Sequence, residues 1–321
     1  MRPLVKVVWV SLCVLTSSPR ARAEPARSRA EALQWVEGAI QGADARVAAS
    51  RIAFLGEEAS AASMLAAYVD APDVRQRRAV ATLLESLGVR ESEPSLIRLA
   101  QDEDGATRME AVRGLGRIHS AAVGLLKKLL RDSTAGVRRE AAVALGALGR
   151  PSLGPTLITA AQGEAELEVR AAMLLATGQS QDSRQIRPLE VFLRGSSEST
   201  RLAAVRGLCL LGAKSGFAYA AKLLQSTEPD QRRDGLLLLE GLRAKLAHPL
   251  LTPLLADRDP RLAARAARML YAGGEVEMED WLVLASFHAR GADKLAYEDE
   301  LDTLHLTDEE RTRVLKKAGV R

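Results

Sequence analysis

Few side chains in this sequence carry the chemistry of a general acid, a base, a nucleophile or a metal ligand, and their spacing keeps them apart. The four histidines, His119, His248, His288 and His305, are scattered, and none is followed directly by a glutamate. There is no H-E-x-x-H pair for zinc, no G-x-S-x-G elbow, no G-x-x-x-x-G-K-S/T phosphate loop and no calcium loop. Cys209 lies in RGLCLLG and reads as a small packed hydrophobe rather than a reactive thiol. The acidic run Glu298-Asp299-Glu300, with Asp302, has the oxygen ligands a cation needs, but reads as the solvated start of a helix. No nucleophile stands beside a plausible base, so the sequence predicts no catalytic residue, no metal and no bound cofactor.

The residue type that does form a pattern is arginine. An arginine followed by small and apolar residues three, seven and ten places on recurs at Arg46, Arg77, Arg108, Arg138, Arg170, Arg201, Arg232 and Arg261, at intervals of 31, 31, 30, 32, 31, 31 and 29 residues. Such a column could bind anions. Each arginine, however, follows an acidic residue by two to six places: Asp44, Asp73, Asp102, Asp132, Glu168, Glu198, Asp230 and Asp259. That favours a structural ladder of short bridges and helix caps tying adjacent repeats together.

Helices must position this column. Ala141, Leu145 and Leu148 follow Arg138 at the spacing of one buried helical stripe, and the small residue lets a neighbour come close. Gly88, Gly149 and Gly212 sit where a left-handed cap would stop such helices. A shorter apolar segment precedes the anchor helices, as at 121–130, 217–224 and 250–255. One unit is then two antiparallel helices, which cannot bury both apolar faces alone and must stack on the next pair. Pro94, Pro151, Pro188, Pro229 and Pro249 are expected between helices or at a first turn. In the fifth unit, Thr177 to Gln181 replace the apolar end of the anchor helix and 182–185 lengthens the turn, which reads as a tolerated irregularity.

Asp102 to Arg108 and Asp132 to Arg138, each six apart, with the run V-R-x-x-A-A-x-A-L-G at 137–146 and the terminal Leu148-Gly149, resemble HEAT repeats. The short period is most similar to the bacterial HEAT-like subclass first noted in phycobilin lyases. The resemblance covers roughly 28–274 and implies an all-α, right-handed α-solenoid of about eight two-helix repeats. It also implies that the second helices line a concave surface facing a partner, which would place Glu110, Arg113, Arg117, Arg139, Glu140 and Arg206 there. Mixed charge of this kind suits a protein or peptide ligand. One HEAT-repeat enzyme family, the deoxyhypusine hydroxylases, binds iron through His-Glu pairs; without such pairs that activity does not carry over.

The ends of the chain read differently. Arg2 and Lys6, the apolar run 7–16 and Ala21-Arg22-Ala23 before Glu24 form a secretory signal over 1–23, too short in its apolar core to span a membrane. Its removal changes 45 basic against 41 acidic residues to 41 against 41, which with 3% aromatic residues argues against nucleic acid. Cys209 would then be the remaining cysteine, so no internal disulfide is expected. The solenoid is expected over 24–274 and a C-terminal helical cap over 275–321, its last helix opened by a Thr307–Glu310 capping box. The sequence thus predicts an exported, non-enzymatic scaffold of the periplasm or cell envelope, holding a protein or peptide on its concave face. The alternative is an accessory lyase or isomerase role on a bound cofactor.

Overall fold

A computed structural model describes residues 19–194, 197–242 and 244–320. These residues form α-helices and short 3-10 turns, with no strand among them. The apolar core of the expected signal lies outside the described residues.

The chain divides into two compact units, 1–120 and 121–321. In the first, α1 (Pro19–Ile40) pairs with α2 (Ala45–Leu55), α3 (Glu58–Leu65) with α4 (Val74–Leu87), and α5 (Glu93–Leu99) with α6 (Gly105–Arg117). In the second, α7 (Val123–Leu129) pairs with α8 (Ala135–Ala147), α9 (Gly154–Gly163) with α10 (Leu167–Gln179), and α11 (Ile186–Glu190) with α12 (Glu198–Leu210). Then α13 (Lys214–Leu224) pairs with α14 (Pro229–Leu239), and α15 (Ala244–Leu251) with α16 (Pro260–Ala272). Within each unit the second helices follow one another side by side in chain order, and most first helices lie against their own second. This is an all-α solenoid of two-helix repeats.

The apolar stripe explains the stacking. Val80 and Leu84 of α4, Ala111 and Leu115 of α6, Ala141 and Leu145 of α8, and Ala204 and Leu208 of α12 are fully buried. The glycine caps are as expected, with φ of 63° at Gly88, 58° at Gly149 and 74° at Gly212.

The fifth unit departs from its reading as an irregularity. Helix α10 continues to Gln179, as long as α8, because its polar end is internally bonded. Buried Thr177 Oγ1 donates to Met173 O at 2.8 Å, and Ser180 Oγ to Thr177 O at 2.7 Å. Gly178 is there for closeness: a Cβ on it would lie 2.4 Å from Gly207 Cα and 2.6 Å from Gly207 O, so α10 and α12 meet backbone to backbone. Pro249 also departs from expectation. It lies inside α15, and the first helix of the last pair gives way at Thr252 to a 3-10 segment.

Three further helices follow: α17 (Glu277–His288), α18 (Gly291–Asp302) and α19 (Asp308–Lys317). Leu282, Val283, Leu301 and Val314 from them close over Ala264 and Ala267 of α16 in one cluster. The capping box forms as expected, with Thr307 and Glu310 each satisfying the other's backbone N–H. The acidic run lies in the second half of α18, not at a helix start, and three of its four acids are engaged. Glu300 meets Arg268 at 2.6 Å, Glu298 meets Lys294 at 3.5 Å, and Asp302 meets Arg311 at 3.0 Å.

Candidate functional site

The arginine ladder is real, but its wiring differs from the expected one. Arg77, Arg108, Arg138, Arg170, Arg201 and Arg232 occupy the fourth position of their helices, whereas Arg46 and Arg261 occupy the second. In register with the others stand Ala48 and Ala263, so the two outermost arginines fall outside the ladder.

Arg170 turns its Nε and Nη2 back onto Glu164 O, but the guanidinium of Arg77, of Arg138 and of Arg232 does two jobs. Its Nη1 donates backward to carbonyls of its own leading loop: Arg138 to Asp132 O at 2.9 Å and Arg232 to Thr227 O at 3.1 Å, as Arg108 does to Asp102 O at 2.8 Å. Its Nε and Nη2 fork forward onto a carboxylate of the next repeat. Arg77 meets Asp102 at 2.7 and 3.1 Å, Arg138 meets Glu164 at 2.7 and 2.9 Å, and Arg232 meets Asp257 at 2.9 and 3.0 Å. The same carboxylates then receive a backbone N–H two residues on, from Asp104, Glu166 and Asp259. The acid six places before an arginine therefore serves the arginine of the preceding repeat, while Asp44, Asp73 and Asp259 are helix caps. Between the first two repeats both halves are missing together: Ala48 stands for the arginine and Ala71 for the acid.

The Arg138 fork holds the Glu164 carboxyl below its ordinary value of 4.5, against the opposing effect of burial. A depressed carboxyl contributes stability that is complete above its unfolded value and is lost as pH falls through the folded one. Glu164→Gln is therefore expected to cost about 2–3 kcal/mol at neutral pH, the worth of charged hydrogen bonds. The gap between variant and parent should close as pH falls below 4.5. Unfolding midpoints across pH check this; a gap that stays constant refutes it.

The six expected partner-face residues divide between the units. Arg113 meets Glu110 at 2.8 Å and Arg117 meets Glu85 at 3.6 Å; both arginines keep part of their surface open. Arg139 meets Glu140 at 2.7 Å, but Glu140 is only 6% exposed and does not present a free surface charge. Arg206 donates to the carbonyls of Leu237 and Glu240, so it ties α12 to the end of α14, and burial lowers its pKa. Glu140 and Arg206 thus belong to contacts inside the array rather than to an open face.

An apolar-walled opening lies elsewhere. A cleft of about 860 Å³ is bounded by the end of α14, by α15 and by α16. Leu239, Leu242, Ala247, Leu251, Met269 and Leu270 wall it, with Glu240, Lys245, His248, Arg268 and Glu275 around them. His248 Nε2 lies 3.4 Å from Glu275 Oε1, and Glu240 Oε1 takes Arg265 at 2.7 Å and Arg268 at 3.3 Å. The cleft has a steric origin. Six and eight places after the register position stand Ala176 and Gly178 in α10 and Gly207 and Cys209 in α12, but Leu238 in α14 with Glu240 just beyond its end, and Met269 and Tyr271 in α16. Bulk at that contact keeps α14 and α16 from the close approach seen between α10 and α12.

A second depression of about 350 Å³ runs over the C-terminal ends of α8, α10 and α12, past Gly149, Gln179, Gln181 and Leu210, and shares Gly241 and Leu242 with the cleft. Cys209 borders it but is fully buried, and burial pushes its thiol up to about 12, leaving it protonated and a poor nucleophile. Among the described residues no three His, Cys, Asp or Glu side chains converge as metal ligands, and no helix is long and apolar enough to cross a membrane. Sequence reasoning missed the cleft, although the loss of small residues from α14 onward was a signal for it.

HEAT repeats are matched at residues 61–143 and 121–209. The complex of CpcE and CpcF of phycocyanin lyase from Nostoc sp. PCC7120 is similar in structure, at 20% identity and a TM-score of 0.53, over 76% of this chain and 94% of that one. An engineered protein matches at 16% identity and a TM-score of 0.44, over 90% and 97% of the two chains. Human deoxyhypusine hydroxylase matches at 19% identity and a TM-score of 0.34, over 77% and 97%. No curated protein sequence matches significantly. At these identities structural likeness speaks for the fold alone. Repeat geometry and the matched segments together support HEAT repeats in this chain across residues 61–209.

Proposed function

We propose that this chain is an exported, non-enzymatic scaffold of the cell envelope that binds a protein or peptide partner along the C-terminal ends of its second helices. The observation that carries this reading is the sharing of Gly241 and Leu242 by the cleft and the second depression. The joined surface passes the ends of α8, α10, α12 and α14, a run that suits an extended chain better than one small molecule. Apolar walls with mixed charge around them fit a peptide. Export rests on the basic start, the apolar run 7–16 and the small residues before Glu24.

Leu246 is exposed and Leu242 lies where the two openings meet. A partner co-purified from the envelope fraction with the parent chain is expected to be lost with Leu242→Glu/Leu246→Glu, while circular dichroism stays unchanged. The mature chain should begin at Glu24. A cytoplasmic product that keeps Met1 would refute export. A coloured ligand on the purified protein, retained in the double variant, would overturn the scaffold reading for the accessory lyase one.

A further inference from the structure

A groove of about 1230 Å³ lies on the opposite partners of these repeats, between the first helices α7 and α9. Its two walls are chemically unequal. One carries Lys127, Lys128 and, in the turn beyond α7, Arg131. The other is the outer side of α9, where Pro155, Thr156, Thr159 and Ala160 present no charge. The acids at its base are already engaged: Glu164 receives the Arg138 fork, and Asp132 Oδ1 accepts the Thr134 N–H at 2.8 Å.

This arrangement differs from the forks of the ladder. There, as from Arg77 to Asp102 and from Arg232 to Asp257, a guanidinium that reaches from one repeat to the next meets an acid. Across this groove the three cations face neutral side chains, and none of the three forms an ion pair among the described residues. The dipole of α7 accounts for lysines in its last turn. It does not account for Arg131 outside the helix, nor for a facing wall without acids.

We propose that this groove docks an acidic peptide segment of a partner protein. Surplus positive charge calls for an anionic ligand. The volume exceeds the roughly 300–1,000 Å³ of small-molecule sites. A recessed floor that includes Leu129 and Leu130 can also take apolar side chains, which a flat lipid surface does not supply. No aromatic side chain lines the groove for stacking on bases, which disfavours a nucleic acid. The site is separate from the channel at the ends of the second helices and does not depend on it.

The test uses the mature chain and a labelled twelve-residue peptide of four Leu-Glu-Glu repeats, with a Leu-Lys-Lys counterpart and phosphatidylglycerol vesicles as controls. The acidic peptide is expected to bind, and the basic one and the vesicles not to. Lys127→Glu/Lys128→Glu/Arg131→Glu should weaken binding about tenfold, as expected for three exposed charge pairs. Leu242→Glu/Leu246→Glu should leave it unchanged. Should the triple variant melt early, Arg131→Glu alone, at an exposed turn position, is expected to weaken binding about threefold and reduce its salt dependence. Equal binding of both peptides, no binding of the acidic one, or full affinity in the reversed variants overturns the proposal. So does preferential binding of the vesicles.

Discussion

Replacing Gly178 with alanine is expected to lower the stability of the second unit by about 3 kcal/mol, the upper end of what overpacking costs. The added methyl would lie 2.4 Å from Gly207 Cα, 2.6 Å from Gly207 O and 2.9 Å from Gly207 C. None of these is the far end of a side chain that could rotate away. Helices α10 and α12 would have to separate, and packing at crystal-like density transmits that shift to their neighbours. Gly124 in α7 is the control. Nothing lies within 4 Å of a Cβ built there, so alanine should raise stability by about 0.5–1 kcal/mol through helix propensity. Denaturant midpoints of the two variants separate close approach from propensity. Equal, small changes would mean that the backbone contact does not hold the repeats at that spacing.

Breaking one fork of the ladder should cost as much. Arg232 and Asp257 have side chains only 5% and 8% exposed, and they meet through two hydrogen bonds. Arg232→Met leaves a buried carboxylate with its cation gone and is expected to cost about 3–5 kcal/mol. The pair itself is worth less than that, because its desolvation offsets much of its attraction. Arg232→Met/Asp257→Leu should therefore recover most of the loss. It will still fall short of the parent, since Asp257 also accepts the Asp259 N–H at 2.8 Å. A double variant no more stable than the single one would show that the bidentate geometry, rather than the stranded charge, carries the effect.

What the sequence made legible was local. The period, the buried stripe behind Arg138, the glycine caps and the Thr307–Glu310 box all depend on residues within about ten places of each other, and spacing specifies them directly. The ladder was legible as a column and illegible as wiring. Asp102 stands six places before Arg108 yet binds Arg77, because the leading loop turns its carboxylate toward the preceding repeat. The same limit hid the register slip at Arg46 and Arg261, where an arginine two positions early still satisfies the apolar spacing. It also hid the cleft, which comes from bulk at Leu238, Glu240, Met269 and Tyr271 rather than from any motif. The polar run of the fifth unit misled for a related reason: Thr177 and Ser180 satisfy themselves on their own helix, so they can be buried without a partner from outside.

Each fork joins an arginine of one repeat to an acid of the next, and this bears on how such a molecule could change length. The Arg77, Arg201 and Arg232 units have Ala71, Gly195 and Ser226 six places earlier and bring only the plug, the arginine. A unit like that of Arg108, Arg138 or Arg170, copied in tandem, arrives with both its arginine and an acid six places earlier, the socket. It can be inserted between two existing units without redesigning either. Deleting the Arg108 or the Arg138 unit likewise leaves an arginine and an acid at matching positions. The terminal positions Ala48 and Ala263, which carry no plug, mark where such growth stops.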